Sequence, residues 1–147
     1  MTGSTPILVT GAAGFIGAAV SIRLIEAGER VIGVDNFNPY YDTDLKTYRA
    51  EQIARHGTAD QFRMIKADIS DPDLFPALLN GPDAPRRIVH LAAQAGVRAS
   101  LDTPRTYIRS NIDGFLNVLE AARFSDRLEH VIYASSSSVY GGNTKTP

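Results

Sequence analysis

Thr10–Gly17 reads TGAAGFIG, and this stretch decides the fold. It follows the apolar run Pro6–Val9 and opens an amphipathic segment, so the local order is strand, tight turn, helix. Glycine lets the backbone turn sharply, approach a phosphate and pack a helix close to a strand. The helix then presents free N–H groups and the positive end of its dipole. The stretch therefore predicts a pyrophosphate-binding turn.

An acidic residue ends the next apolar run, as expected for a dinucleotide-binding unit. Asp35 comes directly after Arg30–Val34 and is placed to accept hydrogen bonds from a ribose diol. A carboxylate there repels a 2′-phosphate, so the pattern favours NAD over NADP. An ordinary strand–helix turn without a ligand, and a plain loop aspartate, are the alternatives that these residues leave open.

Short β-branched runs alternate with amphipathic runs along the chain. The predicted strands are 7–10, 30–34, 61–66, 87–91 and 130–134, and the predicted helices are 15–27, 44–56, 71–79 and 103–123. We expect Gly28 to end the first helix, Ser70 or Asp71 to cap the third, and Thr103 to cap the longest. This alternation predicts an α/β fold, a doubly wound parallel sheet of the Rossmann type, with ligands at the carboxyl ends of the strands.

Composition sets limits on function. The 147 residues suffice for about one domain, and the net charge of −1 gives no reason to expect a nucleic-acid partner. Cysteine is absent and the three histidines are scattered, so we expect no metal site. No apolar run has the length of a membrane span, and residues 1–5 lack the features of a secretory signal. We expect a cytoplasmic protein that is not embedded in a membrane.

Three motifs in combination resemble a known family. The glycines of the turn are spaced G-x-x-G-x-x-G, residues 90–98 read HLAAQAGVR, and residues 133–141 read YASSSSVYG. This combination is similar to the extended short-chain dehydrogenase/reductases, which are mostly nucleotide-sugar epimerases, dehydratases and decarboxylases. DNFNPYYD at 35–42 and the AGVR loop look most like UDP-glucuronate 4-epimerases. The resemblance spans essentially all 147 residues and implies NAD as cofactor and a UDP-sugar as substrate.

The resemblance also implies site residues. The cofactor positions are Gly11, Gly14, Phe15, Ile16, Gly17, Asp35, Asn36, Asn38, Asp68, Ile69, Leu91, Ala92, Ala93, Gln94 and Asn111. The substrate positions are Ala95, Gly96, Val97, Arg98 and Ser136, and the catalytic positions are Ser136 and Ser137. Ser136 would hydrogen-bond the reacting hydroxyl, and the Arg98 guanidinium could pair with a sugar carboxylate or a diphosphate. Ordinary turn or surface roles stay open for Asp68, Asn111, Arg98 and the serines.

In the family a tyrosinate removes the O4 proton while the C4 hydride moves to NAD, and the resulting 4-keto sugar receives hydride on its other face. The base is a tyrosine with a lysine four residues later, and no tyrosine of this chain has one. Tyr140 and Lys145 are five residues apart, with glycines between them that disfavour a helix. We therefore expect residues 1–147 to form an NAD-binding domain that is incomplete at its C-terminus, truncated after about five strands. The catalytic helix and the substrate domain would lie beyond Pro147, and this piece alone would be inactive.

Other enzymes of this family share the same N-terminal motifs. Sugar 4,6-dehydratases carry Thr-Asp-Glu where residues 135–138 are serines, which argues against them, and decarboxylases differ in the 95–98 loop. Other UDP-hexose 4-epimerases stay open, as does a dinucleotide-binding module without turnover. Family members often pair through a helix bundle that includes the 103–123 helix. Part of that bundle would be missing from residues 1–147, so the resemblance leaves a homodimer open.

Overall fold

The computed structural model describes residues 5–142, which build one parallel sheet of five strands. The strands are Ile7–Thr10 (β1), Val31–Asp35 (β2), Phe62–Lys66 (β3), Arg87–His90 (β4) and His130–Tyr133 (β5). Their order across the sheet is β3-β2-β1-β4-β5, so the direction of winding reverses between β1 and β4. The doubly wound α/β fold predicted from the alternating runs is confirmed.

Helices fill the connections between the strands. They are Phe15–Glu26 (α1), Thr43–His56 (α2), Leu74–Leu79 (α3), Ala99–Asp102 (α4), Pro104–Tyr107 (α5) and Gly114–Phe124 (α6). A π-helical segment, Ile108–Asp113, joins α5 to α6, and a 3₁₀ helix, Ser137–Tyr140, follows β5. Within residues 5–142, no helix combines the length and the apolar character that crossing a bilayer requires.

The core lies on both faces of the sheet, because successive side chains of a strand point to opposite sides. Ile7 and Val9 of β1 face α1 and α2, where they pack with Ile25 and Ile53. Leu8 faces the other side, in the cluster that includes residues of α3 and α6. All residues of β1 and β2 are buried, whereas most of β5 is exposed. Strands β1 and β2 are therefore packed along their whole length, and their carboxyl ends form the base of a site.

The start of α3 differs from the prediction. The helix begins at Leu74 and not at Asp71, because the Asp71 carboxylate accepts the backbone N–H of Asp73 (3.0 Å) in a turn. The Ser70 hydroxyl does not cap the helix either, since it donates to Asp68 Oδ1 (2.7 Å). The polar side chains that suggested a cap build the preceding turn.

The predicted helix 103–123 is also wrong as a single α-helix. Ala99–Asp102 already forms a helical turn, and the hydroxyl of Thr103 donates back to the Ala99 carbonyl (3.1 Å) and makes no cap hydrogen bond. Pro104 does occupy the first turn of α5. The π-helical segment then interrupts the α-helical ladder, and such segments are frequent at functional sites.

Candidate functional site

A cleft of about 460 Å³ opens at the carboxyl ends of the strands, where the winding direction reverses. This size lies within the range of small-molecule sites, and the position is the one that doubly wound sheets use for ligands. Most of the predicted cofactor positions line it, together with Ala95; these are Gly11, Gly14, Phe15, Ile16, Gly17, Asp35, Asn36, Asn38, Ile69, Leu91, Ala92, Ala93 and Gln94. The fold therefore brings together residues that lie far apart in the sequence.

Other predicted positions lie outside this lining. Among the residues that the structure describes, these are Asp68, Asn111, Gly96, Val97, Arg98, Ser136 and Ser137. Ala134, at the end of β5, does line the cleft, so the serine run begins at its rim. The lining also contains residues that the sequence analysis missed, including Tyr40, Lys46 and Arg49.

The glycine turn leaves no room for side chains at two positions. Gly11 has a φ of +69°, and a Cβ there would lie 2.8 Å from the backbone nitrogen of Ala92. A Cβ on Gly17 would overlap the carbonyl oxygen of Gly11. The residue that precedes α1 is Gly14, which has no side chain to accept a hydrogen bond. The first N–H groups of α1 therefore lack the side-chain cap that Ser, Thr, Asp or Asn would supply. This cradle fits the pyrophosphate of a dinucleotide.

Asp35 is fixed by backbone and side-chain donors. Its Oδ2 accepts the N–H of Ala13 in the turn (3.2 Å), and its Oδ1 accepts the N–H of Phe37 (2.8 Å). Oδ1 also accepts a hydrogen bond from Lys46 Nζ of α2 (3.2 Å). Asp35 is only 6% exposed and Lys46 8%, so the ion pair is buried at the wall of the cleft. The carboxylate that the sequence analysis assigned to the ribose is therefore one half of a buried ion pair.

The segment after Asp35 is held by a succession of short side chains. Asn36 Oδ1 accepts the N–H of Asn38 (2.9 Å), and Asn38 Oδ1 accepts the N–H of Tyr40 (2.9 Å). Phe37 adopts a φ of +54°, a conformation that residues with a Cβ rarely take. The asparagine side chains thus shape this wall of the cleft, and the strained backbone at Phe37 is held between them.

Asp68 joins this wall to the segment after β3. Its carboxylate accepts hydrogen bonds from Asn36 Nδ2 (3.3 Å) and from the N–H of Ser70 (2.9 Å), and the Arg109 guanidinium lies 3.7 Å away. Burial alone raises the pKa of Asp68, but the hydrogen bonds from Ser70 and Asn36 and the charge of Arg109 outweigh it, so the pKa lies below its usual value. The group is therefore an ionised acceptor at neutral pH.

A buried network connects β1 to β4 beneath the cleft. Thr10 Oγ1 lies 2.8 Å from His90 Nδ1 and accepts the N–H groups of Leu91 and Ala92 (3.2 Å each). Because these two donors fill the lone pairs of the hydroxyl, its hydrogen points to His90, whose Nδ1 is then an acceptor. Burial lowers the pKa of His90 to about 4, and the ring stacks on Phe115 (5.3 Å between centroids). His90 is thus a neutral packed residue.

Two side chains fix the loop that follows β4. Asn111, in the π-helical segment, accepts the N–H of Gln94 (2.7 Å) and donates to the carbonyl of the same residue (3.0 Å). The Tyr107 hydroxyl lies within hydrogen-bond distance of the carbonyls of Ala95 (2.9 Å) and Gly96 (2.6 Å), and the two oxygens share its single proton. Both polar atoms of the Asn111 side chain are therefore engaged with the loop.

The serines after β5 form a capped turn. Ser136 Oγ caps the 3₁₀ helix by accepting the N–H of Ser138 (3.2 Å). The Ser136 hydroxyl also donates to the Ser138 hydroxyl oxygen (3.1 Å). Ser136 and Ser137 are both exposed. Tyr140 is 72% exposed, while Lys145 lies outside the described residues.

A family model and two curated relatives match almost the whole length of the chain. A model of the "NAD dependent epimerase/dehydratase family" matches residues 7–147. The chain is 45% identical over 141 residues to UDP-glucuronate 4-epimerase 2 of Arabidopsis thaliana, covering 96% of this chain and 31% of that protein. It is 48% identical over 141 residues to the protein CapI of Staphylococcus aureus, covering 96% of this chain and 40% of that protein.

A solved structure matches the fold as well. UDP-glucose-4-epimerase from Stenotrophomonas maltophila, with bound NAD and formylated UDP-arabinopyranose, superposes with a TM-score of 0.80 at 31% identity. The match covers 97% of this chain and 40% of that one. The chain thus spans between about a third and two fifths of the length of the proteins that it matches.

Proposed function

Because the chain belongs to the NAD dependent epimerase/dehydratase family, we propose that the protein is a UDP-sugar 4-epimerase that converts UDP-glucuronate to UDP-galacturonate. The observation that carries the proposal is the single cleft in which the glycine turn and Asp35 lie opposite the loop that begins at Gln94. NAD is the cofactor of the family, and when bound it supplies the hydride acceptor and donor for C4 of the sugar. The chain's own residues bind the cofactor and orient the sugar.

The glycine turn supports binding of the dinucleotide. Gly11 and Gly17 keep the turn free of side chains, and the open N–H groups of α1 would face the pyrophosphate. Asp35 would accept a ribose hydroxyl, and Asp68 and Ile69 would lie beside the adenine. The ionised state of Asp68 supports a role as an acceptor.

The loop from Ala95 to Arg98 supports recognition of the sugar nucleotide. Arg98 is exposed, which leaves its guanidinium open to a bidentate contact with a carboxylate or a diphosphate. Ser136 would orient the O4 hydroxyl, with Ser137 as its neighbour at the same turn. The names of the relatives favour the glucuronate, since one of them is a UDP-glucuronate 4-epimerase.

The test is direct conversion by the protein as its gene encodes it. UDP-glucuronate, UDP-glucose and UDP-N-acetylglucosamine are supplied separately, and proton NMR follows the C4 epimer of each. We expect turnover of UDP-glucuronate above the other two. Arg98→Gln should reduce that preference, whereas Arg105→Gln, an exposed arginine of α5, should leave it unchanged. Equal turnover of all three sugars would contradict the assignment of glucuronate.

A non-catalytic dinucleotide-binding module is the candidate from another class. It applies to residues 1–147 taken alone, in which no tyrosine is followed four residues later by lysine. We propose that residues 1–147 alone are inactive as an epimerase. Measurable conversion of UDP-glucuronate by that piece would overturn this, and a protein of any length that binds NAD without epimerising a UDP-sugar would favour the module.

We also propose that the protein is a homodimer. Ile108, Ile112, Leu116 and Leu119 follow one another at intervals of three or four residues and are 45–55% exposed. A partly exposed apolar stripe of this kind supports packing against a second copy. Light scattering should give twice the monomer mass, and Leu116→Glu should halve it. A monomeric wild-type protein would contradict the proposal.

A further inference from the structure

Lys46 and Asp35 are the charged residues that the described part of the chain buries. Lysine is almost never fully buried unless it is paired. Of the residues of α2, only Ile53, seven positions on, is also buried, so Lys46 occupies a core-facing position where an apolar side chain would ordinarily stand. A buried ion pair is seldom more stabilising than well-packed apolar residues. The lysine therefore calls for a functional explanation.

The acceptor capacity of Asp35 points to that explanation. A carboxylate offers about four lone-pair positions. Three are engaged by Ala13 N–H, Phe37 N–H and Lys46 Nζ, and two of these donors share Oδ1. A single position remains on Oδ2, whereas a ribose diol can donate two hydrogen bonds. The carboxylate alone therefore cannot accept both hydrogen bonds of the diol. The Lys46 ammonium beside it has further N–H groups, which can donate to the oxygen atoms of the ribose hydroxyls.

Arg49 stands one turn further along the same face of α2 and also lines the cleft. Its guanidinium carbon lies 5.9 Å from the centroid of the Phe15 ring, at the start of α1. Within residues 5–142, no carboxylate forms a salt bridge with it. The cleft lining therefore carries Lys46 and Arg49 against the single carboxylate of Asp35.

We propose that Asp35 and Lys46 hold the adenosine ribose as one neutral unit, and that Lys46 with Arg49 is a latent site for a 2′-phosphate that Asp35 keeps closed. The inference rests on the proposed binding of NAD and names the residues that set the choice of cofactor. Asp35 acts in two ways: it repels the extra phosphate, and it engages the ammonium that would otherwise bind it. Without Asp35, the Lys46 ammonium and the Arg49 guanidinium, which lie on one face of α2, would both be free to bind the 2′-phosphate.

The experiment uses 5′-AMP and 2′,5′-ADP, which differ only in the 2′-phosphate, titrated by calorimetry into the protein as its gene encodes it. In Asp35→Ser we expect AMP to bind about tenfold more weakly and 2′,5′-ADP at least tenfold more tightly than in the wild type, a change equivalent to one charge-assisted contact in each direction. In the double variant Asp35→Ser/Lys46→Met the gain for 2′,5′-ADP should disappear. In Asp35→Ser/Arg49→Met it should shrink.

Lys46→Met alone would leave the Asp35 carboxylate buried without its partner and could fail to fold. Neither Asp35→Ser nor Asp35→Ser/Lys46→Met contains that carboxylate, so these two variants can be compared in any case. Lys66→Met is the matched control, because Lys66 is exposed on β3 and outside the cleft lining. Equal affinity of Asp35→Ser and the double variant for 2′,5′-ADP would overturn the role of Lys46. Failure of the wild-type protein to bind either AMP or NAD would instead overturn the proposed function.

Discussion

The two walls of the cleft are held in different ways. The turn wall, residues 11–17 with Asp35, rests on strands that are buried along their whole length and is fixed by backbone contacts. The loop wall is the segment 94–98, of which Gln94 and Ala95 line the cleft; it is more exposed and is held by the side chains of Tyr107 and Asn111. Substitutions in the turn wall should therefore affect folding, whereas those that release the loop wall should affect ligand affinity.

The largest effect should come from Gly17→Ala in the turn wall. The new Cβ would overlap the Gly11 carbonyl oxygen, and backbone atoms cannot move aside cheaply. We expect a loss of about 3 kcal/mol or more in the free energy of unfolding, measured by urea denaturation. Gly81→Ala is the control, because a Cβ there meets no atom within 4 Å.

A glycine-to-alanine substitution in the loop wall should be tolerated better than one in the turn wall. A Cβ on Gly96 would overlap the Tyr40 hydroxyl, which is the end of a side chain that can rotate away, although the φ of +98° still adds strain. Gly96→Ala should therefore cost less stability than Gly17→Ala. Equal losses would show that the two walls are equally rigid.

The next effect is a pH dependence that arises beneath the turn wall. His90 has a pKa of about 4 in the folded protein against 6.5 for the free side chain, because burial disfavours the imidazolium. The unfolded chain therefore binds a proton that the folded chain refuses between these values. Stability from this residue is complete above pH 6.5 and is lost as the pH falls towards 4, by at most about 3 kcal/mol.

Denaturation at pH 7 and pH 4.5 measures this effect. His90→Asn keeps an acceptor near Thr10 and removes the titration, so its loss between the two pH values should be smaller than that of the wild type. His56→Asn, at an exposed position of α2, should lose as much as the wild type does. A wild-type loss that matches that of His90→Asn would contradict the burial of a neutral imidazole.

The turn wall could be predicted from the sequence, and the loop wall only in part. Short-range patterns encode Gly11–Gly17 and Asp35, since a strand, a glycine turn and an acidic strand end follow one another in the chain. Lys46 escaped prediction because its pairing with Asp35 depends on how α2 packs, and a lysine in a polar helix normally reads as exposed. The apolar Ile53, which lies seven residues on and therefore on the same helix face, is the one sequence signal that could have indicated it.

The loop wall depends on contacts that sequence patterns do not report. The π-helical segment, which carries Asn111, has no distinctive composition. The amphipathic pattern runs through it without a break and therefore predicted one α-helix. Tyr107 and Tyr40 gave no signal either, because their partners are backbone atoms and a glycine of a distant loop. Such positions are set by tertiary packing.

Asn111→Ala should separate the two walls by function. Removal of the amide leaves the Gln94 backbone exposed to water, so stability should fall by only about 1 kcal/mol. In the protein as its gene encodes it, we expect the KM for the UDP-sugar to rise about tenfold while the affinity for NAD changes less than twofold. A matching fall in NAD affinity would instead favour the cofactor contact that the family resemblance implies. Asn80→Ala, at the exposed end of α3, is the control.

Tyr107→Phe should give the smallest effect, and it tests whether the loop wall is held by one clamp or by two. The variant keeps the ring and removes the hydroxyl whose single proton the carbonyls of Ala95 and Gly96 share. Since water can replace the donor at this exposed loop, we expect less than about 1 kcal/mol of lost stability and a rise in KM of about threefold. Tyr48→Phe, on the exposed side of α2, should change neither quantity. If Tyr107→Phe raises KM as much as Asn111→Ala does, the Tyr107 hydroxyl is an equal clamp and the loop needs both; if KM does not move at all, Asn111 alone positions residues 94–98.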